Sequence, residues 1–254
     1  MKIRERKMKF FGLIAFLYFT SLPGLVFADV SKIDTNFDGK MDQWRHKSAE
    51  GLIVKVEYDT NHDGSIDQIE HFEGKKIMVK AEFDSNNDGR IDQVQRYSKS
   101  GKLEWVEKDS KNSGRFDWTE FFNSSEKIVR IEVDENGDGQ INIWQHYSEN
   151  QKIILTEYDM DNNGKLDRWD YFANEKLEKV GFDTNADLKP DQWQYFYDSK
   201  VVSRVESDTN FDGKADHWEH FNSSGKLTKR EADRNFDGKP DLVENQLRLD
   251  NIYH

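Results

Sequence analysis

From residue 29 onward the apolar and polar positions follow a register that repeats every 25 residues. Each unit opens on a polar stretch of the form Asp-x-Asn-x-Asp-Gly-x-x-Asp or a close variant of it, with its first Asp at 34, 59, 84, 109, 134, 159, 183, 208 and 233. One interval is 24 residues. Counted from that Asp, position 11 is Trp44, Ile69, Val94, Thr119, Trp144, Trp169, Trp193, Trp218 and Val243. Position 14 is mostly aromatic: Phe72, Tyr97, Phe122, Tyr147, Phe172, Phe196 and Phe221. A turn signal follows in mid-unit, as in Ser98–Lys102 and Asn222–Lys226. An apolar-rich run such as Leu52–Tyr58 or Ile128–Val133 then ends directly on the next Asp.

This pattern predicts strands. The two halves of each unit are rich in aromatic and β-branched residues. Pro190 and Pro240 stand at position 8, where proline suits the start of a strand. Each unit therefore reads as loop, strand, tight turn, strand. Nine units give an all-β fold: tandem hairpin repeats of about 25 residues in a curled or superhelical antiparallel meander of up to 18 strands. All acidic loops would line one edge. The tail from 242 to 254 departs from the pattern and reads as a cap, closing a repeat domain over 29–254.

The first 28 residues are different. Lys2, Arg4, Arg6, Lys7 and Lys9 precede an apolar run from Phe10 to Phe27, and Val26 and Ala28 set up a cut after Ala28. Residues 1–28 thus read as a secretory signal peptide, and the protein as exported, periplasmic or secreted. No later run is long and apolar enough to span a membrane as a helix. The segment carries five basic residues and one acid, so the remainder has a formal charge of −16 against −12 for the whole chain. Such acidity disfavours nucleic acid and anionic membrane surfaces and favours cations. Cysteine is absent, which removes disulfides, thiolate metal sites and a cysteine nucleophile.

Asp and Asn at alternating positions, with a Gly at the sharp turn, are what a hard cation needs. Ca²⁺ takes six to eight oxygen ligands. Five sets are complete. They are Asp34, Asn36, Asp38 and Asp42; Asp59, Asn61, Asp63 and Asp67; Asp84, Asn86, Asp88 and Asp92; Asp208, Asn210, Asp212 and Asp216; and Asp233, Asn235, Asp237 and Asp241. The set of Asp134, Asn136, Asp138 and Asn142 ends on a neutral amide, which weakens it. That of Asp159, Asp161, Asn163 and Asp167 exchanges acid and amide. That of Asp183, Asn185, Asp187 and Asp191 has Leu188 in place of the Gly, which puts its turn in question. The fourth loop places Lys111 at a ligand position and is expected to hold no metal.

These loops resemble the EF-hand loop, and more closely the helix-free Asp-x-Asp-x-Asp-Gly loops of bacterial surface proteins and thrombospondin type 3 repeats. The resemblance spans nine residues per unit and implies Ca²⁺. The intervening hairpins resemble those of bacterial exported hairpin-repeat proteins. An EF-hand proper is excluded, because a 25-residue unit leaves 13 residues outside a 12-residue loop and a turn divides most of those stretches. Position 12 carries an acid in only some units (Glu70, Glu120, Asp170, Glu219, Glu244). A second acid recurs two residues before most loops: Glu57, Glu82, Glu107, Glu132, Glu157, Glu206 and Glu231. It reads equally as a further ligand of the following loop or as a solvated strand position or cross-strand pair with lysine.

Other features change the picture little. His46, His71, His146 and His220 share position 13, where strand residues outweigh a zinc ladder. Every acid pair is explained by a repeated loop, and no nucleophile elbow, HExxH or phosphate loop occurs. The expectation is a non-enzymatic, exported calcium-binding protein with a structural or adhesive role, acting on a protein or glycan at the cell envelope. A carbohydrate-binding module using the Trp row is the alternative, and a hydrolase a weaker one.

Overall fold

A computed structural model describes residues 29–74 and 76–245. The expected signal peptide and the last nine residues of the expected cap lie outside them. The described chain is all-β. Its first six strands are β1 (Asp29–Ile33), β2 (Gln43–Lys47), β3 (Ile53–Tyr58), β4 (Gln68–Glu73), β5 (Ile77–Phe83) and β6 (Gln93–Tyr97). β7 (Leu103–Lys108), β8 (Trp118–Phe122), β9 (Ile128–Val133), β10 (Ile143–Tyr147), β11 (Ile153–Tyr158) and β12 (Arg168–Ala173) follow. The series closes with β13 (Lys176–Phe182), β14 (Gln192–Tyr197), β15 (Val201–Ser207), β16 (His217–Phe221), β17 (Leu227–Ala232) and β18 (Leu242–Asn245).

Each strand pairs antiparallel with its neighbours in sequence, and among the described residues no strand touches any other. The result is one open, single-layer sheet, the expected meander of 18 strands. β1 pairs only with β2, and β18 only with β17. All nine acidic loops join an odd strand to the following even one, so they share one edge; the tight turns share the other.

The turn edge has a consistent construction. A register shift separates positions 13 and 14 in every hairpin closed by a tight turn, as at His46/Lys47, Phe121/Phe122 and His220/Phe221. The bulge reconciles a right-handed strand twist with the turn that follows. In most units that turn ends on one left-handed residue, for example Gly51, Gly101 or Gln151. The 24-residue unit owes its missing residue to a two-residue turn, Asn174-Glu175, in which both φ angles are positive (50° and 64°).

The register sorts side chains into two faces. On one, position 11 alternates with the pre-loop residue in an unbroken row: Trp44, Glu57, Ile69, Glu82, Val94 and onward. On the other, a buried residue from each odd strand from β3 to β13 lies between polar neighbours. Val56 is flanked by Arg45 and Glu70, and Ala81 by Glu70 and Gln95. Val106, Ile131 and Val180 continue this thin core.

Candidate metal centre

The acidic loops share one hydrogen-bonding scheme, shown clearly by loop two. Asp59 accepts the N–H of Asp63 on one carboxylate oxygen (3.1 Å) and the N–H of Gly64 on the other (2.9 Å). Asn61 Oδ1 also accepts the Asp63 N–H, at 2.9 Å. Asp63 Oδ1 accepts the N–H of Ser65 at 2.7 Å. Asp67, from the far end, accepts the N–H groups of Thr60 (2.6 Å) and Asn61 (3.1 Å). Backbone donors thus hold the side chains of positions 1, 3, 5 and 9 about one loop. The bond from position 6 to the first Asp recurs in all nine loops.

The other complete sets are held in the same way. In loop one Asp34 accepts the Asp38 N–H at 3.2 Å, and Asp42 accepts that of Thr35 at 3.0 Å. In loop three Asn86 Oδ1 accepts the Asp88 N–H and Asp88 Oδ1 that of Arg90, both at 2.9 Å. Asp92 accepts the N–H groups of Ser85 (2.8 Å) and Asn86 (3.0 Å). In loop eight Asn210 Oδ1 accepts the Asp212 N–H at 2.9 Å, while Asp216 accepts those of Thr209 (2.9 Å) and Asn210 (3.2 Å). In loop nine Asn235 Oδ1 accepts the Asp237 N–H and Asp237 Oδ1 that of Lys239, both at 3.0 Å.

The backbone follows the same path each time, with positive φ at positions 4 and 6. Gly relieves position 6 in eight loops. In loop seven Leu188 takes φ 71° and its N–H still reaches Asp183 Oδ2 at 2.7 Å. The turn that its sequence put in question is therefore made, at the steric cost of a left-handed residue bearing a Cβ.

Most carboxylates at positions 1 and 9 are buried, with Asp84, Asp117, Asp134, Asp208, Asp216 and Asp233 among the deepest. Successive loops are also joined: the N–H of each first Asp donates to the carbonyl of position 9 in the preceding loop, as Asp59 to Asp42 (2.9 Å) and Asp84 to Asp67 (2.8 Å). Along the row, local donors lower several carboxyls. The Lys40 N–H holds Asp38 below the ordinary carboxylate range, and the Ser65 N–H does the same for Asp63. Burial pushes Asp216 up, but His217, Thr209 and backbone N–H groups outweigh it, leaving a net lowering.

Three carboxylates converge in loop six. Asp159, Asp161 and Asp167 bring one oxygen each within 4.8 Å of the others, an arrangement that can hold a metal ion. All three offer hard oxygen donors, which fits a hard cation.

The remaining sets are arranged differently. Among the described residues, no other loop draws three carboxylates that close. The reason lies at positions 3 and 5. In loops one, two, three, five, seven, eight and nine position 3 is a neutral amide: Asn36, Asn61, Asn86, Asn136, Asn185, Asn210 and Asn235. Except in loop five, whose position 9 is Asn142, a third carboxylate would have to come from position 5. There Asp38, Asp63, Asp88, Asp138, Asp187, Asp212 and Asp237 each turn one oxygen to the N–H of position 7.

In six of these loops the other oxygen accepts the position-3 amide, at 3.2 Å for Asn36–Asp38, 3.1 Å for Asn61–Asp63 and Asn136–Asp138, 3.3 Å for Asn210–Asp212, and 3.4 Å for Asn86–Asp88 and Asn235–Asp237. Asn86 also donates to Asn112 in loop four, at 3.1 Å. Asn163, the swapped amide of loop six, donates to Asp161 instead, at 2.8 Å. In loop seven Asn185 Oδ1 accepts the N–H of Asp187 at 2.9 Å, and Asp191 caps the Thr184 N–H at 2.9 Å.

Several loops carry features not visible from the repeat. Asn142 keeps the position-9 hydrogen bond, to the N–H of Glu135 at 2.9 Å, and donates to Asn162 in the next loop at 3.2 Å. Arg234 Nε lies 2.7 Å from Asp241, so an internal cation already sits on the last acid of loop nine. In loop four Lys111 Nζ stands 3.6 Å from Asp117 Oδ2. Apolar side chains also stand exposed on this edge: Phe37 (90%), Met160, Leu188, Phe211 and Phe236.

The strand glutamates have other partners. Glu57, Glu82, Glu157 and Glu231 are each bonded to the position-13 histidine of the preceding strand: His46 (2.5 Å), His71 (2.6 Å), His146 (2.8 Å) and His220 (2.8 Å). Tyr195 donates to Glu206 at 2.9 Å, and Arg130 lies 2.9 Å from Glu132. Glu57, Glu82, Glu157, Glu206 and Glu231 are thus paired across the sheet, whereas Arg130 and Glu132 belong to the same strand. The histidines engage glutamates rather than one another. Pro190 packs against the bare backbone of Gly181, where the glutamate series is interrupted. Position-12 acids are likewise taken up on the sheet, Glu70 by Tyr58, Glu120 by Lys108 and Asp170 by Arg168.

The fold and loops define a single-sheet hairpin-repeat protein with an acid-lined edge. No family model matches the chain, and no curated protein matches it. Among solved structures, it is similar to a chain in the crystal structure of TcdB2-TccC3-Cdc42, at 9% identity and a TM-score of 0.22. It is similar at the same values to a chain of the Photorhabdus luminescens Tc holotoxin pore. Each likeness covers 82% of this chain but 13% of the other, so the protein spans a small part of the length of those chains.

Proposed function

We propose that this is an exported calcium-binding repeat protein with a structural or adhesive, non-enzymatic role at the cell envelope. The observation that carries the reading is the gathering of nine Asp-rich loops on one edge, most with buried carboxylates, one of which brings three acids together. Carboxylates crowded in this way repel, and a divalent cation relieves that repulsion. In the loops with Asn at position 3, a cation would compete with the amide for the position-5 carboxylate, and the amide oxygen would join it as a ligand. Binding free energy then adds to folding free energy, which suits a sheet with a thin core and no disulfides. Affinities are expected near those of extracellular modules, about 10⁻⁴–10⁻³ M. The exposed apolar side chains beside the loops offer a contact surface for a protein or glycan partner, ordered when the loops are loaded.

Far-UV circular dichroism and thermal melting of residues 29–254 test the reading, first in EDTA, then with millimolar Ca²⁺, with Mg²⁺ as control. Calcium alone should raise the strand signal and the melting temperature. Spectra and melts indifferent to calcium would reduce the loops to ordinary Asx turns.

A further inference from the structure

Loop four already contains a cation of its own. Lys111 occupies position 3, the place where loop six puts Asp161 against Asp167. Its ammonium lies 3.6 Å from Asp117 Oδ2 and donates to the carbonyls of Asp134 (3.2 Å) and Glu135 (2.6 Å), the first two residues of loop five. Arg115, four residues further on, reaches the carbonyl of Gly137 in the same neighbour at 3.4 Å. Asp117 is almost fully buried. Within the loop it accepts the N–H and hydroxyl of Ser110. One positive charge therefore neutralises a buried carboxylate and bridges two loops at once.

We infer that Lys111 is a tethered substitute for a metal ion, joining loops four and five so that the middle of the sheet stays ordered when divalent cations are withdrawn. A covalently held cation is present at every concentration of free metal, whereas a dissociable one leaves when its concentration falls below its dissociation constant. In a fold whose units touch only their neighbours, one permanently ordered junction is a site from which order can spread to both sides. The claim that Lys111 stands in for a metal rests on the calcium reading above; the claim that it holds the junction does not.

Hydrogen exchange of the full chain in EDTA, read by mass spectrometry, tests the junction. Protection should persist over β7–β10 and fall elsewhere. Lys111→Met should speed exchange there at least tenfold, and Lys111→Arg should restore protection. Unchanged exchange in Lys111→Met would overturn the inference, whether or not the protein binds calcium. Titration calorimetry then tests the substitution: Lys111→Asn recreates an oxygen ligand and should bind one more Ca²⁺ per chain than the wild type. A wild type that binds calcium, with no gain in the variant, would overturn it. A wild type that binds none would instead overturn the calcium reading and leave the exchange experiment to decide the role of Lys111.

Discussion

The N–H of Asp159 donates to the carbonyl of Asn142 at 3.0 Å, tying the entry of loop six to the exit of loop five. The same link joins each pair of successive loops, so a loop that loosens releases a hydrogen bond from the next. Loop six is the place to test what its carboxylates do. Asp161→Asn keeps the side-chain shape while removing one of the three converging charges. Calcium affinity at this loop should fall about tenfold, with the apo fold retained, because neutral oxygens are weaker ligands for a hard cation. Equilibrium dialysis at limiting calcium, compared with the wild type, would show it; equal binding would place the ion elsewhere.

Leu188 makes a left-handed turn that eight other loops give to glycine. Leu188→Gly should stabilise the protein by about 1 kcal/mol by removing the Cβ clash. The side chain is exposed, so little packing is lost. Denaturant unfolding in calcium would reveal a raised midpoint, whereas Leu188→Ala should leave it nearly unchanged because the Cβ remains.

Glu82 offers a test by pH. Burial pushes its carboxyl up, but His71 and Lys80 bring it down from 4.5 to about 2. A carboxylate held below its unfolded value stabilises the fold above pH 4.5 and loses that contribution as pH falls through about 2. Glu82→Gln should therefore cost about 1 kcal/mol near neutrality, a modest figure because solvent still reaches and screens the pair. The gap to wild type should close between pH 4.5 and 2. A gap that stays constant over that range would mean the glutamate acts through shape alone.

Much of this architecture was legible because the 25-residue period repeats one set of instructions. Asp, Asn and Gly at fixed offsets specified the loops, and aromatic and β-branched runs specified the strands between them. What the period did not carry was register and side-chain direction. Glu57 precedes a ligand-like loop in sequence, yet its carboxylate is turned along the sheet to His46 and Lys55, a choice made by cross-strand neighbours. Asp88 and Asp237 belong to sets that read as complete, and the sequence does not show how the amides of Asn86 and Asn235 and the local N–H groups engage their carboxylates. The reach of Lys111 into loop five depends likewise on loops two strands apart lying side by side. Leu188 read as a defect because sequence shows the missing glycine but not the hydrogen bonds that hold the turn regardless.

A sheet in which each strand touches only its chain neighbours has no keystone. Pulled by its two ends, such a molecule should yield one hairpin after another instead of rupturing at once. Each unit would release about 80–90 Å of slack. Its extension under load would then be counted in repeats, and the softest hairpins would give first.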